Sequence, residues 1–290
     1  MRFSYSPSLT PLKLLLSGYL LINALAGHTQ SEISFAKHNS FKTTVPDSSG
    51  THTENRDLVL AKKTIQLVDS ISRSAGISSH FAWIYTRVML NVERQISGAD
   101  SATSAFIRKF EVAFADYFLD ACNDNKNGTL SSSSEWKTLF SNPSAHSLPL
   151  TIMGISAHTN GDMWQAFVNN FKEKEIRLHK KAFLACQASI VKVYYPFFDS
   201  IATQSPYLQF MKFATVGLVK NLGERIIYKW RRRQVNLAIL YFHDQSRFNR
   251  KLEVVKKKKE KIDKLLLHRI SLILPKKAGR SSGISISGRQ

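Results

Sequence analysis

Apolar residues recur at three- and four-residue spacing along most of this chain, and no run alternates apolar and polar residues for long enough to argue for a strand. The pattern predicts helices. Within 55–76, Leu58, Ala61, Ile65 and Val68 share one face, and Gly76 is placed to close the helix in the left-handed conformation. A second helix opens at Ser78 or Ser79 and carries Phe81, Ile84, Tyr85, Val88, Val92 and Ile96 before Gly98. The third is the clearest, with Phe106, Phe110, Ala113, Phe114, Tyr117, Phe118 and Ala121 in one wide stripe. The polar run from Asn123 to Ser134 predicts a loop, then a short helix at 135–140. A helix at 149–171 is apolar on nearly all sides in its first half, which marks it as central. Further helices are expected from Arg177 to Ser200, ended or kinked by Pro196, and from the N-cap pair Ser205-Pro206. Gly217 and Gly223 are expected to break the chain ahead of "ERIIYKWRRRQVNLAILYFH", and a last, basic helix runs from 247 to near 274. The expected fold class is all-α: a single multi-helix domain, orthogonal or bundle-like, over 55–245, with a basic C-terminal helix and disordered tail over 246–290.

The first residues depart from this pattern. Arg2 and Lys13 precede an apolar run from Leu14 to Ala26, and Ala24-Leu25-Ala26 has the small-x-small form of a cleavage site. Residues 1–26 therefore read as a signal peptide, and the protein as exported to the periplasm, the envelope or the exterior. Ser17 and Asn23 interrupt the run, which falls short of the roughly 20 residues a membrane span needs. No cysteine follows it to take a lipid anchor. Residues 27–54, polar and without periodicity, are expected to be a flexible leader. After export, Cys122 and Cys186 either pair or act as small apolar residues in helical cores, and no Cys/His cluster has structural zinc spacing.

Candidate chemistry concentrates in "GISAHTNGDMWQAF", residues 154–167. On a helix His158 and Asp162 stack on one face, and Gln165 follows one step later. Upstream only Thr151 and Ser156 are polar, so the pair sits at the wall of a core, where a carboxylate must be paired or coordinated. Three readings fit. The pair is structural, His158 bonding Asp162 or Asp162 meeting an arginine such as Arg225. Or it is half of a site for a divalent metal such as zinc, completed from the third helix, where Asp116 and Asp120 lie four apart among aromatics. Or it works as a metal-free acid/base pair, although no nucleophile in a recognisable triad setting accompanies it.

"FAWIYTRVMLNVERQI", "FEVAFADYFLDAC", "LPLTIMGISAHTNGDM" and "GERIIYKWRRRQVNLAI" resemble, in order and spacing, an uncharacterised bacterial family, an all-helical domain of unknown function. Its core stretch has the form Gly-Met-Asn-Ala-His-x-x-x-Asp-Leu. The resemblance covers roughly 58–245. Its specific part maps to Gly154, Ala157, His158 and Asp162, supported by Asp116, Tyr117, Leu119, Asp120 and Ala121 and by Arg225 and Trp230. Ser156 stands where the family has Asn, Met163 where it has Leu, and Leu150 where a His is common. The resemblance implies a fold and no reaction. It also implies that Arg225 and Trp230 face inward, with Arg225 able to meet Asp162 or Asp116. "HTNGDMWQ" is similar to the His-x-x-Gly-Asp-x-x-Gln segment of zinc-dependent phospholipases C and single-strand nucleases. That similarity implies a metal-dependent phosphoesterase using His158, Asp162 and Asp116, although the further histidines and N-terminal tryptophan of those enzymes have no counterpart here.

The net charge of +20 belongs largely to the tail: from Arg247 onward 14 Lys and Arg face only Glu253, Glu260 and Asp263, which leaves +11 there. "KWRRRQ" at 229–234 reads as a solvated helix face. The last helix combines a lysine run with Leu265, Leu266, Ile270 and Ile273, so it either packs one face on the domain or lies on an anionic membrane surface. Export and the lack of interleaved aromatics argue against nucleic acid. Two classes of function remain: a non-catalytic helical domain with a structural His158/Asp162 pair, or a metal-dependent hydrolase.

Overall fold

The computed structural model describes residues 51–132, 134–145, 147–202 and 218–270, and among these every regular element is helical. The signal peptide expected at 1–26 and most of the leader lie outside the described residues, as do Ser205, Pro206, Gly217 and Ile273. The elements are α1 (Thr51–Ser72), α2 (Ser79–Ile96), α3 (Ser101–Asn127), α4 (Lys137–Phe140), α5 (Ser147–Ala157), a π-helical turn (His158–Asp162, the π turn), α6 (Met163–Asn170), α7 (Glu173–Ala185), α8 (Gln187–Ala202), α9 (Leu218–His243), α10 (Gln245–Leu265) and a closing π-helical segment (Leu266–Ile270). Among the described residues no helix is long and apolar enough to cross a membrane.

The periodic stripes are the faces that pack. Ala61, Ile65 and Val68 of α1 are buried against α2 and α3. Phe106, Phe110, Phe114 and Phe118 of α3 form the aromatic spine of the core. Asp100 caps α3 by accepting from the Thr103 N–H at 2.8 Å, and Arg108 reaches across to α2, donating to the Glu93 carboxylate from Nε and Nη2 at 3.0 and 2.6 Å. α2 packs on α8 and α5; α9 packs on α6, α7 and α10. The π turn touches α3, α9 and α10 and so sits at the centre.

Several expected boundaries shift. α1 begins at Thr51, inside the expected leader, and ends at Ser72 without a left-handed glycine at 76. Asn123 to Asn127 continue α3 rather than forming a loop, because Gly128, with φ of 71°, supplies the left-handed C-cap there. The single helix expected from Arg177 is two, meeting at Cys186, and Pro196 lies inside α8, which runs on to Ala202. Gly223 does not break the chain. It lies within α9 beside Tyr194, where a Cβ would stand 1.9 Å from the tyrosine oxygen, so a missing side chain and not a turn is what the position requires. The boundary expected at 245 is an interhelical joint: Phe248, Val255, Ile262 and Leu266 are buried, and α10 belongs to the body.

Candidate functional site

The apolar helix α5 delivers His158 into the core, and the π turn then fixes what lies opposite it. Met163 N–H donates to the His158 carbonyl, an i to i+5 bond that inserts one surplus residue into the helix, a distortion frequent at functional sites. His158 Nδ1 lies 3.0 Å from Asp162 Oδ2, and Trp136 Nε1–H donates to the same oxygen at 2.9 Å. His158 and Asp162 are each 3% exposed and Trp136 2%. Phe114 stacks on the imidazole with centroids 3.4 Å apart, and Tyr85 meets it edge-on at 4.5 Å. Burial pushes the His158 pKa well down and the Asp162 pKa well up, the Trp136 bond only partly opposing the latter. The imidazole is therefore neutral at neutral pH. Whichever partner holds the shared proton, Nε2 is the ring nitrogen left without a hydrogen bond.

His158 also lines a cavity of about 80 Å³ between α2, α3, α8 and α9, walled mainly by aromatic and aliphatic side chains such as Phe81, Val88, Phe110 and Phe183. Two other lining residues carry buried polar atoms without a partner, Tyr85 at its hydroxyl and Glu111 at Oε2. Burial pushes the Glu111 carboxyl up to about 7, the positive charge of Arg231 opposing the rise. Arg231 lines the cavity too; its guanidinium donates to Gln187 Oε1 at 3.1 Å and to the Phe183 carbonyl at 2.6 Å. The Tyr85 hydroxyl, Glu111 Oε2 and His158 Nε2 are thus three unpartnered buried polar atoms carried by residues that line one apolar cavity, and each calls for an explanation.

The residues expected to join the pair do not all do so. Asp116 is exposed on the outer side of α3, because Phe114 and Phe118 occupy the face towards His158 and a residue two positions from each points away. Asp120, one turn on, is exposed beside it; partial burial raises the Asp116 pKa, and the Asp120 carboxylate adds to the rise. Among the described residues no group of three His, Cys, Asp or Glu side chains is placed to hold a metal. Arg225 is exposed, so the donor that meets Asp162 is Trp136 and not an arginine. Trp230 is buried, and Gln165 donates to the Gly161 carbonyl at 3.1 Å. Cys122 and Cys186 are free thiols, both pushed up to about 11 by burial.

Sequence reasoning passed over Trp136, Glu111 and Lys259. A buried tryptophan needs an acceptor for its indole N–H, and the isolated "EWKTLF" after a serine run held that signal. Lys259, the last of the four-lysine tract, points inward: Nζ lies 2.8 Å from Asp263 Oδ2 and 3.7 Å from Glu135 Oε2. Burial raises the pKa of both carboxyls in spite of the lysine. Glu135 in turn presses on the π turn, where a Cβ at Gly161 would stand 2.3 Å from its Cγ.

Fold and site together define an all-α domain with an aromatic cavity lined in part by His158, whose ring is paired with Asp162. The chain belongs to a family of unknown function, DUF5995, whose model matches residues 63–268 and thus takes in α10 as well as the π turn. No curated protein and no solved structure matches it.

Proposed function

We propose that this domain binds a small, mostly apolar molecule whose polar end enters the aromatic cavity, with His158 as its fixed hydrogen-bonding contact. The observation that carries the reading is that His158, a residue of the cavity lining, keeps a buried, unpartnered Nε2 while its ring is held through Nδ1 by Asp162 and through Asp162 by Trp136. Apolar walls with a few convergent polar groups are the usual form of a small-molecule site. A purely structural pair would satisfy Asp162 but leaves Nε2 unexplained, and a metal-dependent reaction would need the carboxylate of Asp116, which lies outside. The cavity holds roughly three to four heavy atoms, judged against a 150 Å³ cavity that takes benzene, so the remainder of a longer ligand extends through the mouth. Titrating 1-butanol into protein labelled with 15N at histidine is expected to shift the His158 Nε2 resonance saturably. A Val88→Phe variant, which fills the cavity, is expected to lose that response; equal responses in the two proteins would sink the proposal.

The same proposal takes residues 1–26 as an export signal, supported by the basic start, the short apolar run and Ala24-Leu25-Ala26. N-terminal sequencing of the protein recovered from an envelope or periplasmic fraction is expected to begin at Gly27. A separate peripheral role falls to α10. Its Phe248, Val255 and Ile262 are buried in the domain, and Arg250, Lys251, Lys257, Lys258, Lys261 and Lys264 are exposed, which supports adsorption to an anionic membrane surface through charge.

A further inference from the structure

The cavity's polar equipment also restricts what its ligand can be. Glu111 and Arg231 both line it, one acidic and one basic, so a bound cation would face the guanidinium and a bound anion the carboxylate. Neither charge finds an unopposed partner, and a poorly paired charge in such a place is costly. The three unpartnered atoms are Tyr85 Oη, Glu111 Oε2 and His158 Nε2. Burial holds the Tyr85 phenol well above its ordinary pKa, so it remains a neutral donor and acceptor. His158 Nε2 donates or accepts according to where the proton shared with Asp162 resides, and Glu111 Oε2 does so according to its ionisation. A partner for these groups must therefore be able to take either role. A hydroxyl does this with one atom; an ammonium only donates and a carboxylate only accepts.

We infer that the cavity recognises the hydroxyl group of a neutral alcohol, held between Tyr85, Glu111 and His158 with its carbon chain against the aromatic wall. This rests on the cavity being a binding site at all. The alternative charge classes fail on the cavity's own charges, and a plain hydrocarbon would leave all three polar atoms unsatisfied.

The experiment is a competition among three probes of one skeleton, 1-butanol, 1-butylamine and butyrate, at pH 8, above the raised pKa of Glu111. Each is titrated into the full mature chain, and binding is read from the Trp136 indole N–H and the His158 ring resonances. The alcohol is expected to bind about tenfold more tightly than either charged probe, and Tyr85→Phe, which keeps the ring in the core, is expected to weaken the alcohol by about three- to tenfold. If the amine or the carboxylate binds as tightly as the alcohol, the hydroxyl assignment is overturned while the cavity stands as a site. If none of the three perturbs either resonance, the binding reading falls and this inference with it. An unchanged alcohol affinity in Tyr85→Phe overturns the assignment as well.

Discussion

Glu111 shows most directly how a single side chain can be held in the interior at a cost to the fold. Its carboxyl is pushed from 4.5 up to about 7, so the folded chain takes up a proton that the unfolded chain releases near pH 4.5. Stability therefore falls as pH rises through the interval from about 4.5 to 7 and levels off above it. The cost is at most about 3 kcal/mol, and nearer half of that for a half-buried side chain. Glu111→Gln is expected to raise the melting temperature at pH 8 and to change it little at pH 4.5; a variant less stable than the wild type at pH 8 would refute the assignment. The site was only half legible in the sequence for a related reason. Spacing of four placed His158 and Asp162 together, because that contact is local to one helix. Trp136, Tyr85 and Glu111 come from other elements, and neither periodicity nor composition says which residues of separate helices will meet.

At the level of elements, α10 is fastened by an internal ion cluster as well as by its apolar stripe. Lys259 is buried with Asp263 and lies 3.7 Å from the half-buried Glu135, so removing the cation alone leaves two acids under the helix without it. Lys259→Met is expected to cost about 3 kcal/mol in urea unfolding, and adding Asp263→Leu to recover a good part of that. A neutral single variant would show the cluster to be wetter than its burial indicates. Helix positions were largely legible, since α2 and α3 carry unbroken stripes between capping residues. Their ends were less so. Asn123 to Asn127 have loop-like composition yet are helical because Gly128 terminates the helix after them, and Lys259 has the composition of a solvated tract yet is internal because it recurs at the spacing of Val255 and Ile262.

For the whole molecule, the net +20 matters through its distribution. With Phe248, Val255 and Ile262 packed inward, the described part of α10 presents mainly charge outward, so the proposed attachment to a membrane is expected to be electrostatic. The chain is expected to co-sediment with phosphatidylglycerol-containing vesicles at about 0.05 M salt and to be released by about 0.5 M, where the Debye length shrinks to a few ångströms. Retention at high salt would mean that apolar groups enter the bilayer and that the stripe is not fully engaged. The π turn has a consequence at this same scale. α5 packs on α2, whereas α6 packs on α3 and α9, and the two are nearly one continuous rod. One surplus residue between them acts as a phase shifter, turning everything downstream by about 100° relative to an unbroken α-helix. Losing a single residue there would leave a perfectly regular helix and put its second half out of step with its neighbours.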